Sequence, residues 1–192
     1  MSMQGKSEID ALLAGSLKEL SAHKAIEKIT IKEITDKAGV IRPTFYNHFQ
    51  DKYELLEWIV TSELLRPAMA LLVNKRTVEG MALMLSTIER DKTFYTKAAK
   101  MDGVITFDSI VRKCIQKELL ANVKLDGEAL HSVHVWLTTD LVATYYAESM
   151  AFAMISWILS GMQIPPQEVA EGYMYLLTHS MDEMIKDDFE GY

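Results

Sequence analysis

The 192 residues, 49% hydrophobic and 24% charged, have the composition of an ordinary globular protein and are enough for two small domains. The single cysteine, Cys114, excludes an intramolecular disulfide, and the N-terminus lacks the continuous apolar core of a signal peptide, so we expect a cytoplasmic protein. The most apolar window, residues 150–164, is 15 residues long, fewer than the roughly 20 that span a bilayer, so no membrane segment is predicted.

The net charge of −7 is unevenly distributed along the chain. Residues 1–52 contain eight Lys and Arg residues against seven Asp and Glu residues, so the acidic excess lies in residues 53–192. Binding to DNA phosphates needs a local cationic face and does not need a basic protein as a whole. The distribution therefore permits DNA binding by the N-terminal segment without requiring it.

Local signals in the N-terminal segment predict helices separated by tight turns. The first helix covers residues 7–23, with apolar side chains on one face. Thr30 and Glu33 form a capping box, in which each side chain satisfies a free backbone amide at the start of the second helix. Gly39 falls where that helix must end, because glycine tolerates the left-handed conformation there.

A recognition helix is predicted over residues 42–49, directly after this turn. Asp51 and Glu54 cap a further helix that continues as a connector over residues 51–73, and Pro67 is expected to kink or break it. Two helices joined by a turn that contains glycine form a helix-turn-helix, which places its second helix in the major groove of DNA. The sequence therefore predicts a DNA-binding head.

The segment from Thr30 to Leu55 resembles the DNA-binding head of the TetR (tetracycline-repressor) family. The shared pattern is T-x-x-x-I-x-x-x-A-G-V followed by T-x-Y-x-H-F-x-x-K-x-x-L, and its positions here are Thr30, Ile34, Ala38, Gly39, Val40, Thr44, Tyr46, His48, Phe49, Lys52 and Leu55. Ile41 departs from the pattern, because the family usually has a capping residue such as serine there and isoleucine cannot cap. The match covers about the first third of the chain.

The resemblance and the helix positions together predict a set of DNA-contacting residues: Thr30, Lys32, Arg42, Pro43, Thr44, Tyr46, Asn47, His48 and Lys52. Arg42, at the start of the recognition helix, suits a guanine edge and a phosphate equally well. Thr44, Tyr46 and His48 match family positions that face the DNA backbone, with packing and capping as the alternative. Lys52, at the first position of the next helix, suits a phosphate clamp.

Other side chains of the head have different expected roles. Lys32 is either a DNA contact or a solvated surface lysine. Phe45 and Phe49 are four residues apart on one helical face and are predicted to belong to the core of the head.

The rest of the chain is predicted to be helical as well, so the expected fold class is all-α. The predicted helices cover residues 78–90, 92–100, 107–121, 128–159 and 166–186. The expected organisation is a three-helix DNA-binding domain over residues 1–52, running into the connector, and a C-terminal effector-sensing and dimerisation domain over residues 74–192.

The last two predicted helices are apolar on several faces, and a small body has too few other helices to cover both. A partner chain is therefore expected, and a four-helix dimer interface is also what the family resemblance implies. The predicted interface consists of Phe152, Ile155, Trp157, Tyr173, Leu176, Leu177, Met181 and Met184. Residues 152–177 also resemble the C-terminal region of a TetR-like subgroup that includes regulators of dihydroxyacetone kinase operons, through W-x-x-x-G followed by P-x-E.

An apolar, methionine-lined effector pocket is predicted in the body, because large adaptable side chains recur on several helices that must converge. The predicted lining is Met81, Met84, Phe94, Met101, Phe107, Trp136, Asp140, Tyr145, Tyr146 and Glu148. Asp140 and Glu148 are the candidate polar anchors and would suit a neutral or cationic ligand. The subgroup resemblance leaves a protein co-regulator open in place of a small molecule.

Catalytic and metal sites are not predicted. The chain has no glycine-rich phosphate loop, no H-E-x-x-H, no G-x-S-x-G and no cysteine cluster, so neither an enzyme nor a cofactor is expected. His131 and His134 could share a helical face with Glu128, but a histidine pair without a third firm ligand is more often structural. Cys114 lies among apolar residues and is expected to be a buried small hydrophobe.

These patterns together predict a TetR-like transcriptional regulator that binds a palindromic operator as a homodimer, most simply as a ligand-responsive repressor. Its two recognition helices would enter successive major grooves about 34–36 Å apart. The alternative is a DNA-binding activator controlled by a protein partner.

Overall fold

A computed structural model describes residues 3–122 and 133–185, with side chains from residue 8 onward, and all regular structure in these ranges is helical. The helices are α1 Met3–Ser21, α2 Ile31–Ala38, α3 Arg42–Tyr46, α4 Lys52–Ile59, α5 Arg66–Val73, α6 Thr77–Arg90, α7 Lys92–Ala99, α8 Phe107–Asn122, α9 Thr139–Leu159, α10 Pro166–Thr178 and α11 Met181–Met184. A 3₁₀ turn, Ile26–Lys28, precedes α2, and a π-helical turn, Val60–Leu65, joins α4 to α5. The predicted all-α fold class is confirmed.

Helices α1 to α4 form the head, and its helix ends follow the local sequence signals. The Thr30 hydroxyl accepts the Glu33 N–H, and the Glu33 carboxylate accepts the Thr30 N–H, so the predicted capping box is present. Gly39 ends α2 in the left-handed conformation, with φ 68°. Asp51 caps α4 by accepting the N–H groups of Tyr53 and Glu54 at 2.7 and 2.9 Å.

The connector and the recognition helix each differ from expectation in one respect. Pro67 does not break the connector, because the chain continues from α4 through the π-helical turn into α5, and the proline lies in the first turn of α5. Proline is tolerated in the first turn of a helix, where its missing N–H costs least. Helix α3 ends at Tyr46, earlier than the predicted residue 49, and its N-cap residue Ile41 makes no side-chain capping bond.

The body packs α8 against α9 and α6 against α5 and α10. Buried residues of α9 recur at a helical spacing along one side: Ala143, Ala147, Met150, Ala151, Met154, Trp157 and Ile158. One apolar cluster continues from Leu13 and Phe45 in the head, through the connector, to Met154 and Tyr173 in the body. The head and the body are therefore joined by packed side chains as well as by the chain itself.

The last two predicted helices begin or end at different residues in the structure. Thr138 is extended and caps α9 by accepting the Leu141 N–H at 3.1 Å, so the helix begins at residue 139 and not at 128. The predicted helix 166–186 is divided, because a capping box of Ser180 and Glu183 starts α11 after His179 has left helical geometry. Residues 128–132 and 186 lie outside the described ranges. Within those ranges, no helix is long and apolar enough to cross a membrane.

Replacing Gly39 with Ala should destabilise the protein, because the left-handed conformation costs a residue with a Cβ about 1–2 kcal/mol. No atom lies within 4 Å of the added Cβ, so the cost is conformational and not steric. Gly15→Ala is the matched control: the added Cβ also meets nothing, but Gly15 lies inside α1, where Ala is favoured by about 0.5–1 kcal/mol. Urea denaturation should therefore shift in opposite directions for the two variants. Two shifts of the same sign would contradict this account.

Candidate nucleic-acid interface

The helix-turn-helix is built on a buried aromatic side of α3. Phe45 is completely buried, and its ring lies 5.9 Å from that of Phe49, which is 4% exposed. Helix α2 packs against this core through Ile34 and Ala38. The prediction that both phenylalanines belong to the core is confirmed. The opposite side of α3 is therefore presented to solvent at a fixed angle.

The exposed side of α3 carries four of the predicted DNA-contacting residues: Arg42, Pro43, Tyr46 and Asn47. Tyr46 is 52% exposed, and its ring meets the edge of Phe45 at a centroid distance of 5.7 Å. Arg42 forms no ion pair with any residue that the structure describes. Thr44 is half-buried beside them. The tyrosine ring is thus in contact with the core of the head while about half of the residue is exposed.

The start of α2 supplies the remaining exposed candidates, Thr30 and Lys32, and both already have partners. The Thr30 hydroxyl is engaged in the capping box, where Glu33 also accepts the Lys24 ammonium at 2.7 Å. The bond from Lys24, followed by those from Thr30, lowers the pKa of Glu33 to about 2. Lys32 pairs with Asp36 at 2.6 Å on the open surface, an interaction weak enough to exchange for a phosphate.

His48 does not face outward as predicted. Its side chain is only 3% exposed, and Nδ1 lies 2.6 Å from Oδ1 of Asp10 on α1. Asp10 is itself buried, with its side chain 10% exposed. Because a buried charged group needs a partner, the pair attaches the end of the recognition helix to α1. The structural alternative for His48, packing within the head, is the one that the structure shows.

Lys52 is likewise drawn inward and does not present its ammonium as a phosphate clamp. Its Nζ donates to the carbonyl oxygens of Ile26 at 3.0 Å, Glu27, and Ile29 at 2.9 Å. Burial lowers the pKa of Lys52, and the nearby Glu27 carboxylate opposes that shift. An ammonium has three N–H donors, and all three are used here. Lys52 therefore ties the 3₁₀ turn before α2 to the start of α4, which sets the position of the helix-turn-helix.

Two polar contacts that position the head were missed from the sequence. Asp10 lies three residues before the buried Leu13 and seven before the buried Leu17, so an acid on the buried side of α1 was the available signal. Lys18 pairs with Glu63 in the π-helical turn. Its Nζ also lies 2.6 Å from Oδ2 of Asp91, at the junction of α6 and α7. No local pattern predicts contacts between residues so far apart in sequence.

The ten predicted pocket residues do not surround one cavity. Five of them are packed in the core and at most 6% exposed: Met81, Met84, Phe94, Met101 and Phe107. The other five are on the surface: Trp136, Asp140, Tyr145, Tyr146 and Glu148. The prediction of a single pocket with this lining is wrong. Apolar and aromatic composition alone does not distinguish residues that fill the core from residues that lie on the surface.

The predicted dimer-interface residues divide in a similar way. Phe152, Leu176, Met181 and Met184 are exposed, and Ile155 and Leu177 are half-buried. Trp157 and Tyr173 do not belong to this exposed surface as predicted, because both are at most 5% exposed within this chain. The Trp157 Nε1–H donates to the Ile164 carbonyl at 2.8 Å, and the Tyr173 hydroxyl lies 2.8 Å from that of Ser149. Burial raises the pKa of Tyr173 to about 12.

A groove with a cavity volume of about 750 Å³ opens between α9 and α10, and two exposed residues of the predicted interface, Phe152 and Leu176, line it. Tyr145, Phe152 and Leu176 are 63%, 73% and 62% exposed along it.

Glu128 and His131, two members of the possible metal group, lie outside the described ranges. Within residues 3–122 and 133–185, no three acidic, histidine or cysteine side chains are close enough to hold a metal ion.

A solvent-exposed recognition helix on a packed helix-turn-helix, carried by an all-helical body, defines a DNA-binding transcription regulator. Residues 16–59 match the family model described as bacterial regulatory proteins, tetR family, and residues 76–179 match one described as transcriptional regulator C-terminal region. The chain belongs to the TetR family of transcriptional regulators, which confirms the resemblance found in residues 30–55.

Individual relatives agree with this assignment. The chain is 29% identical over 157 residues to the HTH-type dhaKLM operon transcriptional activator DhaS of Lactococcus lactis, across 78% of this chain and 79% of that protein. A solved structure of a dihydroxyacetone kinase operon activator DhaS has a TM-score of 0.56 at 23% identity, covering 88% and 93% of the two chains. Thermus thermophilus FadR in complex with lauroyl-CoA has a TM-score of 0.54 at 16% identity, covering 90% and 94%. The predicted resemblance to regulators of dihydroxyacetone kinase operons is confirmed.

Proposed function

We propose that this TetR-family regulator binds a palindromic operator as a homodimer through the exposed side of α3, and that a signal received by the body changes operator affinity. The observation that carries the proposal is the arrangement of Arg42, Tyr46 and Asn47 on the outer side of a helix whose inner side is fixed by Phe45. A short exposed helix over a rigid base suits insertion into the major groove.

The proposed second half-site comes from a second copy of this chain. Aromatic and aliphatic side chains remain exposed on adjacent helices, including Phe152 on α9 and Leu176 on α10, where the groove between the helices is open. Contiguous exposed apolar surface of this kind marks an interaction site. A two-fold arrangement would cover the same surface on both copies and would pair the two recognition helices.

The direction of regulation has two candidates. Release of a repressor by a small ligand is the first, and it requires a site on the body or at its contact with the head. Activation through a protein partner is the second. The Lactococcus relative is named as an activator, and the five predicted pocket residues in the core of the body are tightly packed here. These two observations support activation through a protein partner as the second candidate.

Replacing Arg42 with Ala should weaken operator binding about 5- to 150-fold, the equivalent of the 1–3 kcal/mol typical of a good base contact. The operator is first selected from random duplex DNA, and affinity is then measured by fluorescence anisotropy at several salt concentrations. Lys97→Ala is the matched control, since Lys97 is an exposed cation on α7, away from the helix-turn-helix. A base contact relaxes the sequence preference at one position, whereas a phosphate contact lowers the salt slope by about 1. Equal affinities for both variants would refute DNA binding through α3.

A further inference from the structure

A cavity of about 390 Å³ lies between the head and the body, away from the exposed side of α3. Asp10 of α1 and His48 and Phe49 at the end of the recognition helix form one wall, and Cys114 and Lys117 of α8 form the opposite wall. The connector passes along it at Trp58 and the π-helical turn. A molecule bound here would therefore touch both the DNA-binding unit and the body.

One buried polar atom in this lining has no partner. Ser62 lies in the π-helical turn, and its Oγ is buried without a hydrogen bond to any residue that the structure describes. A serine inside an ordinary helix can donate to a carbonyl of the preceding turn, as Ser16 does to Leu12 at 2.9 Å. An unsatisfied buried hydroxyl is unfavourable, and a bound group that accepts or donates a hydrogen bond would satisfy it.

The charges around the cavity are unequally engaged. Each acidic residue of the lining already has a partner: Asp10 pairs with His48, Glu57 with Lys113, and Glu54 accepts the Gln50 N–H. Arg66 and Lys117 also line the cavity, and neither forms an ion pair within the described ranges. Arg66 and Lys117 are therefore the lining cations that no acid engages within the described ranges, and they are available to pair with an anionic group of a ligand.

We propose that this cavity binds a small organic carboxylate with an apolar body. The carboxylate would pair with Arg66 and Lys117, the hydroxyl of Ser62 would hydrogen-bond a polar substituent, and the apolar part would lie on Phe49, Trp58 and Cys114. The volume lies within the range of about 300–1,000 Å³ usual for small-molecule sites. Such a site differs from the predicted pocket in the body in both its lining and its ligand charge.

Occupancy of the cavity would regulate the operator-binding function proposed above, on which this consequence rests. A ligand held between the end of α3 and α8 favours one orientation of the head relative to the body. If that orientation has a different operator affinity, ligand and operator must change each other's binding by the same factor. Binding to the cavity itself requires no DNA and can be tested separately.

Cys114 provides a direct probe of the cavity, because it is the only cysteine and it lies in the lining. Burial raises the pKa of its thiol, so iodoacetamide should react slowly, and the reaction is best followed by mass spectrometry at mildly alkaline pH. Salicylate is the probe ligand; benzyl alcohol supplies a ring without the charge, and inorganic phosphate supplies charge without the ring. At a salicylate concentration about nine times its dissociation constant, alkylation should slow about tenfold, since only the free protein reacts.

The charge requirement is tested by Arg66→Gln combined with Lys117→Gln, with Lys97→Gln combined with Lys100→Gln as the matched loss of two exposed cations elsewhere. We expect salicylate to protect Cys114 and to raise the thermal midpoint in the wild type and the control pair, but not in the first pair. Equal protection by benzyl alcohol or by phosphate would overturn the proposal, as would a raised midpoint without protection of Cys114. Should alkylation be undetectable in the folded protein, equal midpoint shifts in both pairs would overturn it as well.

An effect of salicylate on operator affinity is measured last and by the same anisotropy assay. Protection of Cys114 without operator binding by the wild-type protein would count against the proposed function alone. Operator binding without protection would count against the cavity alone. The two proposals therefore fail independently.

Discussion

The variant Leu176→Glu is expected to be a monomer that has lost operator binding. Leu176 is 62% exposed on α10, in the lining of the groove that α9 and α10 form. In the proposed homodimer it is covered, and an uncompensated carboxylate at that place would be desolvated at a high cost. Without the second copy, the second half-site contributes nothing, and operator affinity should fall about 100-fold or more.

Leu120→Glu is the matched control, because Leu120 is also an exposed leucine, 44% exposed, but lies on α8 outside the groove. It should remain dimeric and bind the operator as the wild type does. Sedimentation equilibrium measures the mass, circular dichroism confirms that both variants remain helical, and anisotropy measures the affinity. A dimeric Leu176→Glu protein with normal affinity would place the subunit interface elsewhere or remove it.

The parts of the fold that could be predicted depend on residues close together in sequence. The Thr30–Glu33 capping box, the left-handed Gly39 and the Asp51 cap each involve contacts within one turn of helix, so pattern alone locates them. The burial of Phe45 and Phe49 follows from their spacing of four residues. These are the features that identified the helix-turn-helix.

The roles of His48 and Lys52 could not be predicted, because their partners are distant in sequence. Asp10 lies 38 residues before His48, and the carbonyls that hold Lys52 lie 23 to 26 residues before it. From the sequence alone, a basic residue in a family motif is therefore predicted to contact DNA. The fold shows whether an internal acceptor competes for it. Here buried carboxylate and carbonyl groups, which must be satisfied, supply that competition.

The apolar body shows a different limit of sequence interpretation. Helix α9 is apolar all round, so composition cannot distinguish the side that packs inward from the side that meets a partner. Trp157 lies on the inward side, where its indole N–H donates to the Ile164 carbonyl, whereas Phe152, five residues before it, lies on the outward side and is exposed. The predicted methionine-lined pocket is wrong for the same reason: Met81 and Met84 are completely buried in the core.

Replacing Lys18 with Met should destabilise the protein by about 1–3 kcal/mol, a loss that no surface ion pair would produce. The Lys18 ammonium on α1 contacts the Glu63 carboxylate in the π-helical turn and that of Asp91, and it lies 5.5 Å from the ring centroid of Phe94. Its side chain is only 17% exposed, so methionine replaces the stem but leaves two carboxylates without a counter-charge. Those carboxylates flank the buried Tyr95, whose pKa is raised by burial first and by Glu63 and Asp91 in addition.

The effect of the lost charge can be separated from lost packing, because both acids can be neutralised in the Lys18→Met background. Glu63→Gln combined with Asp91→Asn in the Lys18→Met background should recover part of the stability, since no unpaired charge then remains next to the Tyr95 ring. Lys37→Met is the matched control: Lys37 pairs with Glu19 at 2.5 Å on the surface, with 42% of its side chain exposed, and its loss should cost less than about 1 kcal/mol. Thermal midpoints, at about 2–4 °C per kcal/mol for a chain of this size, resolve the difference. Similar midpoints for the two lysine variants, or no recovery on neutralising the acids, would show that the Lys18 contacts do not hold α1 to the connector and the body.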